Sequence, residues 1–365
     1  MAKAKATTTG VSVKDILSNL KAASGNKYAT NIGDEGTIGD ITSYTDTGCY
    51  IWNMQVSGSL FNGLPNGQGL VVAGTSTTGK TFFSISIIEN FLKQHDNGIV
   101  LIFDSENAIN KSRLETRGLP LDRINYYPVM SLLDFKTQAV NVLDTINEQY
   151  KPGEAQFLIL LDSLGNLPST KELADAKSGS SKVDMTRSKE IRSVFRVVTV
   201  KLSRHKIPFV CTNHTYAKIT DFYPTQEMGG GGGVKFGADY IFYLTKAKDK
   251  DSSGAVIGNV ITSTAIKNRD ALENTKVKMM LSYSKGLHPY YGLLPFAIDC
   301  PDISWVKDGT KYMIGEKKCS EKEIYKNGAK YFTQEILEKL NEYMKPLFNY
   351  GNSEEEKETF EDSDK

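Results

Sequence analysis

The chain has 365 residues and a formal net charge of +1, with 39% hydrophobic and 24% charged residues. These proportions are typical of a globular protein that buries one large core with appendages. Because the net charge is close to zero, no global electrostatic field attracts nucleic acid, and any such binding must come from local loops.

The cysteines and the apolar runs exclude several further classes of protein. Cys49, Cys211, Cys300 and Cys319 are far apart and form no C-x-x-C pair, which favours reduced thiols over a disulfide framework or a zinc site. No apolar run approaches the roughly 18 residues of a membrane span. The N-terminus has no signal-peptide core. We therefore expect a soluble protein of the cytoplasm that does not bind membranes.

The N-terminal segment is basic. Residues 1–27 carry five Lys against one Asp and contain a short amphipathic patch at residues 11–17. Two interpretations fit this composition equally well. The segment is either a solvated tail or a segment that tunes contacts with partners or DNA.

A phosphate-binding motif, G-x-x-x-x-G-K-[ST], occupies residues 74–81. It follows an apolar stretch at residues 69–73 and precedes apolar residues at helical spacing, and strand, glycine loop and helix in this order form a phosphate cradle. Lys80 should reach the β- and γ-phosphates, and the Thr81 hydroxyl should bind Mg²⁺. A Gly/Thr-rich surface turn is the alternative. The predicted nucleotide-binding residues are Gly74, Thr75, Ser76, Thr77, Thr78, Gly79, Lys80 and Thr81.

Further apolar runs predict strands at residues 98–103, 157–161, 207–211 and 240–244. Unbroken runs separated by helical stretches indicate strands that are buried on both faces of a parallel sheet. Three of the four runs end on polar residues. Since ligands bind at the carboxyl ends of such strands, these polar residues should converge on the phosphate loop. The predicted fold is α/β, with a mostly parallel central sheet and helices on both faces.

The polar residues at these strand ends suit phosphoryl transfer. Asp162 is the expected Walker-B carboxylate, which would hold Mg²⁺ partly through water. Glu106 is the expected general base, with a capping or surface carboxylate as the alternative. Asn213 and His214 should end the third run, where a side chain could contact the γ-phosphate. A lone His is also commonly a packed polar residue.

Five consecutive glycines occupy residues 229–233. Glycine costs about 1 kcal/mol per position inside a helix, so we expect a mobile loop here. Between two β-type runs, such a loop is a candidate for a nucleotide-responsive switch.

The last part of the chain predicts a small terminal unit and a tail. Residues 351–365 hold seven acidic groups against two Lys and should be disordered. Residues 301–350 should end in an amphipathic helix that packs on the core. Its apolar residues are Ile336, Leu337, Leu340, Tyr343, Met344 and Leu347.

The motifs in their order resemble the RecA recombinases, and within that family the UvsX branch of tailed bacteriophages. The resemblance runs from about Cys49 to Ile298 and rests on the phosphate loop and on the runs D-S-E, L-L-D-S-L-G-N-L, D-M-T-R, N-H-T-Y, M-G-G-G and K-N-R. Bacterial members have Gln where His214 stands. The resemblance implies a RecA-like ATPase core that uses ATP and Mg²⁺ and forms a helical filament of identical protomers on single-stranded DNA. The filament would pair with homologous double-stranded DNA and exchange strands, for recombination, repair and recombination-dependent replication.

The family resemblance also implies residue roles. Glu106 and Lys80 are similar to catalytic residues of the family, and His214 to its γ-phosphate sensor. Lys267 and Arg269 resemble the basic pair that reaches from one protomer into its neighbour's ATP site. Without the family, these two residues would be interpreted as solvent-facing charges on a strand.

Two segments correspond to the family's DNA loops, residues 165–187 and 215–235. Sequence-independent phosphate contacts would suit a search for homology. Taken alone, either loop is only a polar connection. The predicted DNA-binding residues are Lys171, Lys177, Lys182, Arg187, Lys218, Gly230, Gly231, Gly232 and Lys235.

Two features depart from the family pattern, and one further match is short. The interior of the phosphate loop, residues 75–78, is unusual, though only its backbone is strictly required. Where the family stacks an aromatic residue on adenine, this chain has Arg113, whose guanidinium can also stack on a base. Residues 26–29 resemble the segment that docks on the next protomer, with Tyr28 as an anchor, although a plain linker fits nearly as well.

The resulting domain prediction has four parts. They are an N-terminal segment with the docking region (1–48), the ATPase core (49–300), a small C-terminal subdomain (301–350) and an acidic tail (351–365). The resemblance also implies a phage single-strand-binding protein and a UvsY-type mediator as partners, in a host-cell cytoplasm.

Two other functions compete. A hexameric helicase or another RecA-fold DNA motor would share the ATP site, but such helicases usually carry an N-terminal domain for which the first 48 residues leave no room. A small-molecule kinase would need an Arg-rich lid and an acceptor pocket, and the sequence indicates neither.

Overall fold

The computed structural model describes residues 12–34, 37–151, 154–179, 186–218, 225–230, 232–250 and 253–351. The chain divides into two compact units, one up to Ile41 and one from Thr42. The predictions for Lys182, for Gly231 and for the acidic tail beyond residue 351 lie outside the described residues.

The first unit contains helix α1 (Val13–Ala23). The Ser12 hydroxyl caps the helix by accepting a hydrogen bond from the Asp15 amide at 3.1 Å. None of the residues of α1 is buried within the described chain. Residues 26–29 follow as a turn in which the Ala29 amide donates to the Asn26 carbonyl at 3.0 Å.

The second unit alternates strands and helices. Its strands are β1 (Tyr44–Thr45), β2 (Leu64–Pro65), β3 (Gly69–Gly74), β4 (Gly98–Asp104), β5 (Ile124–Pro128), β6 (Gln156–Asp162), β7 (Phe209–Lys218), β8 (Thr225–Met228), β9 (Tyr240–Lys250), β10 (Val256–Lys267), β11 (Lys276–Ser282), β12 (Gly286–Leu287), β13 (Trp305–Asp308), β14 (Lys311–Ile314) and β15 (Lys317–Ser320). Its helices are α2 (Tyr50–Ser57), α3 (Lys80–Gln94), α4 (Lys111–Glu115), α5 (Leu132–Gln149), α6 (Thr170–Ser178), α7 (Arg187–Arg204), α8 (Gly232–Gly237), α9 (Leu294–Asp299), α10 (Glu321–Lys326), α11 (Gly328–Tyr331) and α12 (Gln334–Phe348).

Among the described residues, ten strands form one central sheet. Its order is β12-β11-β10-β9-β3-β7-β6-β4-β5, with β8 paired to β7. The strands from β9 to β5 run parallel, whereas β10, β11 and β12 are antiparallel. The predicted mostly parallel sheet is therefore confirmed.

Helices cover both faces of this sheet because its central strands are apolar throughout. All of β3 is buried, with Leu70 and Val72 in one hydrophobic cluster and Val71 and Ala73 in the other. The first cluster contains α2 and α3, and the second contains α5 and α7. The alternation follows from the two-residue period of a strand.

The residues after 300 share the first cluster. Trp305 and Phe332 are buried in it, together with Leu340 and Met344 of α12. The amphipathic helix predicted there is present and packs on the core. No helix in the described part of the chain is both long and apolar enough to cross a membrane.

Part of the glycine run forms a helix and not the loop expected from its composition. Residues 232 and 233 belong to α8, where a Cβ on Gly233 would lie 2.7 Å from the Ser188 carbonyl oxygen. The short helix thus packs backbone to backbone against the start of α7. Tertiary contact outweighs the low helix propensity of glycine here.

Strand β7 also extends beyond its expected end at His214. It continues to Lys218 and pairs antiparallel with β8, so that Thr215 faces Met228. The second predicted DNA loop therefore begins as a β-hairpin that is continuous with a central strand of the sheet.

Candidate nucleotide site at the carboxyl edge of the sheet

The phosphate loop leaves β3 at the centre of the sheet. Gly74 pairs with His214 of β7 on one side and with Leu244 of β9 on the other. A Cβ at Gly74 would lie 2.7 Å from both the Leu244 carbonyl oxygen and the Thr78 hydroxyl. Only glycine fits at this point, and α3 begins at the end of the loop, as the motif predicts.

Lys80 lies inside the loop with 8% of its surface exposed. Its Nζ donates to the carbonyl oxygens of Gly74 and Thr75, each at 3.1 Å. Burial lowers the pKa of Lys80, while the carboxylates of Glu106 and Asp162 oppose that shift. The ammonium group is thus held where a phosphate could replace the carbonyl oxygens as its partner.

Oxygen atoms suited to a magnesium ion meet beside Lys80. The hydroxyls of Thr81 and Thr212 donate to Asp162 Oδ2 at 2.7 Å and Oδ1 at 2.5 Å, respectively. Burial raises the pKa of Asp162, and these two hydrogen bonds oppose the rise. A hydroxyl and a carboxylate are ligands that Mg²⁺ accepts when phosphates and water complete its shell. Among the described residues, no group of three His, Cys, Asp or Glu side chains could hold a metal by itself.

Glu106 follows β4 on the same edge of the sheet. Its Oε1 accepts a hydrogen bond from the Ser163 hydroxyl at 2.5 Å and lies 3.0 Å from His214 Nε2. Its backbone amide donates to buried Asp104 at 2.8 Å. Both the main chain and the carboxylate of Glu106 are therefore held in place.

The same contacts control the charge of Glu106. Burial alone raises its pKa, but the hydrogen bonds from Ser163 and His214 and the positive charge of Lys80 hold the pKa below its ordinary value. The carboxylate is therefore ionised near neutral pH, as a proton acceptor must be.

His214 connects this site to the β7–β8 hairpin. The His214 carbonyl accepts from the Gly229 amide at 3.0 Å. Asn213 Nδ2 donates to the Gly229 carbonyl at 2.9 Å, and Asn213 Oδ1 accepts from the His214 amide at 2.8 Å. The side chain beside Glu106 thus belongs to the root of the hairpin.

Lys267 and Arg269 lie at the opposite edge of the sheet. Lys267 pairs with Ile241 at the start of β9, and its Nζ donates to the carbonyls of Lys235 and Ala238. Burial and the charge of Arg269 lower the pKa of Lys267. At about 3.3 Å per residue, the six residues of β3 separate the two edges by roughly 16 Å. Within one chain, the two residues therefore do not join the residues predicted to bind ATP and Mg²⁺.

Arg269 is anchored by a buried carboxylate at that edge. Its Nε lies 3.0 Å from Asp239 Oδ1, and Asp239 Oδ2 accepts from the amide of Gly69 at 2.7 Å. The side chain of Arg269 remains 57% exposed. Burial raises the pKa of Asp239, while Gly69 and Arg269 oppose the rise.

The predicted DNA-binding residues of the first loop have different surroundings. Lys171 and Lys177 lie on α6, which begins with a capping box between Ser169 and Glu172. Arg187 instead donates to the carbonyls of the residues before α6, with 2.9 Å to Gly165 as the shortest of these contacts. Lys171 and Lys177 therefore lie on a surface helix, whereas Arg187 stabilises the backbone that precedes this helix.

The predicted residues of the second loop lie on β7, on α8 and in the turn before α8. Lys218 ends β7, Gly230 lies before α8, and Gly232 and Lys235 lie on α8. Lys235 is exposed. Arg113, the residue predicted to stack on adenine, lies on α4, where it is exposed and its guanidinium donates to the Ala108 carbonyl.

Three residues of the site were given no role from the sequence. Ser163 contacts the carboxylate of Glu106, and Thr212 contacts that of Asp162. Lys246 on β9 donates to the Thr77 carbonyl at the tip of the phosphate loop at 3.2 Å. Ser163 and Thr212 adjoin predicted site residues, which is a signal that could have identified them. Lys246 has no such signal, because its role depends on the pairing of β9 with β3.

The central sheet and the phosphate loop at its carboxyl edge define a P-loop α/β protein. Comparisons with known proteins identify its family. The RecA N-terminal domain family matches residues 12–288. The "Recombination and repair protein" of Enterobacteria phage T4 is 33% identical over 257 residues, which cover 70% of this chain and 64% of the phage protein. Protein RecA of Mesomycoplasma hyopneumoniae (strain 7448) is 22% identical over 339 residues, covering 90% of this chain and 95% of that protein. Protein RecA of Wolinella succinogenes is 23% identical over 304 residues, covering 83% and 82%.

The chain therefore belongs to the RecA family, as its motifs indicated, and membership implies nucleotide binding. The matched region spans 64% of the length of the phage T4 relative.

We predict that Gly74→Ala weakens nucleotide binding by about tenfold or more, because its Cβ would collide with a strand carbonyl that cannot move without shifting β9. Titration with a fluorescent ATP analogue measures the effect, and circular dichroism checks the fold. Gly39→Ala is the matched control, since a Cβ there would meet no atom within 4 Å. Equal affinity in both variants would contradict the close approach at Gly74.

Proposed function

We propose that this protein is an ATP-dependent DNA strand-exchange recombinase that acts as a helical filament on single-stranded DNA. The observation that carries the proposal is the meeting of Lys80, Asp162, Glu106 and His214 at one sheet edge, with His214 at the root of the β7–β8 hairpin. Membership of the RecA family supports this function, and no observation favours the alternative of a hexameric helicase.

ATP and Mg²⁺ are the proposed cofactors. The residues that would hold the ion are Thr81 and Asp162, and it would neutralise the charge that develops on the phosphates. Lys80 would exchange its bonds to the Gly74 and Thr75 carbonyls for bonds to the β- and γ-phosphates. Backbone amides of the loop would bind the remaining phosphate oxygens.

Glu106 is the proposed general base for hydrolysis. An ionised carboxylate next to the phosphate loop can take a proton from the attacking water as the water adds to the γ-phosphorus. The depressed pKa of Glu106 keeps it in the form that accepts this proton.

We predict that the roles of Lys80 and Glu106 can be separated by mutation. Lys80→Ala should lose ATP binding, because the phosphates lose the cation within the loop. Glu106→Gln should retain ATP binding and hydrolyse ATP at least ~10²-fold more slowly, the usual contribution of a general base. Binding titrations and DNA-stimulated phosphate release measure the two effects. Unchanged turnover in Glu106→Gln would remove this residue from catalysis.

Lys267 and Arg269 are proposed to complete the ATP site of a neighbouring protomer. Their distance from the phosphate loop of their own chain and the exposed guanidinium of Arg269 support action in trans. There they would stabilise charge in the transition state, as an arginine finger does.

We predict that mixed filaments recover activity. Lys80→Ala protomers and Lys267→Ala/Arg269→Ala protomers should each be inactive alone, since an arginine finger typically contributes about 10³-fold or more. Mixtures should hydrolyse ATP, because some junctions then contain an intact loop facing an intact basic pair. If the mixtures co-assemble and remain inactive at every ratio, the site is completed within one chain.

His214 is proposed to transmit the state of the nucleotide to DNA. A hydrogen bond from its imidazole to the γ-phosphate would replace the present contact with Glu106. Because His214 also holds Gly229 through the main chain, the change would reach the β7–β8 hairpin and the DNA loop that it begins.

We predict that His214→Ala binds ATP and DNA but loses most of the coupling between them. Wild-type protein should bind single-stranded DNA more tightly with ATP than with ADP, and DNA should tighten ATP binding by the same factor. Fluorescence anisotropy with each nucleotide measures this ratio. A mutant that retains the wild-type ratio would show that His214 is only a packed polar residue.

The proposed DNA contacts come from α6 and from the second loop. Lys171 and Lys177 are on the surface helix, and Lys235 is exposed on α8, where backbone-directed contacts would be independent of sequence. Residues 26–29 could dock on the next protomer by adding to the edge strand β5. By resemblance, a phage single-strand-binding protein and a UvsY-type mediator are proposed partners in a host-cell cytoplasm.

A further inference from the structure

The Glu106 carboxylate is held through one of its two oxygens. Oε1 accepts from the Ser163 hydroxyl at 2.5 Å and lies 3.0 Å from His214 Nε2. An ionised carboxylate only accepts, so the imidazole donates through Nε2–H. In the described part of the chain, Oε2 has no hydrogen-bond donor. Oε2 is therefore the oxygen available to take a proton from water.

The Ser163 hydroxyl is itself fixed in position. Ser163 has 0% of its surface exposed. Its amide donates to the Ser105 hydroxyl at 3.0 Å, and that hydroxyl donates to the Ser163 carbonyl at 2.7 Å. The Ser105 amide donates to the Asp162 carbonyl at 2.8 Å. The segment that carries the base and the segment that carries Ser163 are thus joined by three hydrogen bonds in addition to the contact with Glu106.

ATP binding would affect the two hydrogen-bond partners of Glu106, His214 and Ser163, differently. His214 is the proposed γ-phosphate sensor, so its contact with Glu106 would be given up when ATP binds. Ser163 has no such second role, because its hydroxyl is buried against Glu106. During hydrolysis, Ser163 would then be the remaining side-chain donor to the base within the described residues.

We propose that Ser163 is a positioning residue for ATP hydrolysis, whose hydroxyl holds Oε1 of Glu106 so that Oε2 receives the proton of the attacking water. The inference rests on the proposed function and adds a residue to it. A donor fixed in this way limits the rotation of a flexible Glu side chain and keeps the reactive oxygen near one geometry. The alternative is that Ser163 only fills a buried polar position in the fold.

Kinetics of four variants distinguish these two roles. Ser163→Ala should lower kcat about tenfold or more, which is the usual effect of removing a hydrogen bond to a charged group, with KM and ATP affinity unchanged. Ser163→Cys retains a weak donor and should recover part of the loss. Ser163→Ala placed in Glu106→Gln should cause no further loss, because Ser163 acts through Glu106. Ser263→Ala is the matched control: Ser263 is equally buried, and its hydroxyl has no hydrogen-bond partner in the described part of the chain.

The outcomes separate this inference from the proposed function. The inference is overturned if Ser163→Ala keeps the wild-type kcat, whether or not its KM rises. It is also overturned if adding Ser163→Ala to Glu106→Gln lowers kcat by the same factor as adding it to the wild-type protein. In each of those cases Glu106 retains its assignment. If wild-type protein does not hydrolyse ATP, or Glu106→Gln hydrolyses it normally, the proposed function fails first. Loss of folding in Ser163→Ala would be detected by circular dichroism, and Ser163→Cys would then provide the comparison with wild type.

Discussion

Hydrogen bonding of β3 between β7 and β9 fixes the relative positions of the groups that could act on a nucleotide. This register places Gly74 beside His214 and Leu244 at the point where the phosphate loop begins. The pairing of β4 with β6 in turn sets Asp104 beside Asp162. A shift of one residue in either pairing would exchange the buried faces of a strand, so the apolar core holds the site in register.

The sequence predicts the fold and the principal acidic and basic groups because they obey local rules. Lys80, Asp162 and Glu106 follow strands whose apolar runs are unmistakable, and parallel strands bring their carboxyl ends to one edge. Ser163 and Thr212 adjoin predicted site residues, but the atoms they contact depend on which strands are neighbours and on side-chain rotamers. The contact of Lys246 depends on the pairing of β9 with β3, for which the sequence gives no signal. The helix in the glycine run was missed for a related reason: the close approach to α7, invisible in a local pattern, requires glycine at residue 233.

The two ends of β3 have different roles in the proposed assembly. One end carries the phosphate loop, and the other lies against Asp239, which anchors Arg269. Under the proposal that a neighbour completes the ATP site, a phosphate loop at one end and an exposed basic residue at the other suit head-to-tail association. A heterologous contact of this kind generates an open helix unless its rotation closes a ring. The filament and the composite ATP site would thus follow from a single arrangement of the sheet.

DNA strand exchange is the most direct test of this account. The assay would combine the protein, circular single-stranded DNA and a homologous linear duplex with ATP and Mg²⁺, and would follow joint molecules and exchanged duplex by gel electrophoresis. The account predicts exchanged products that require homology and ATP and that disappear with Lys80→Ala. DNA-dependent ATP hydrolysis without joint molecules, accompanied by duplex unwinding, would contradict the account and indicate a motor of the helicase type.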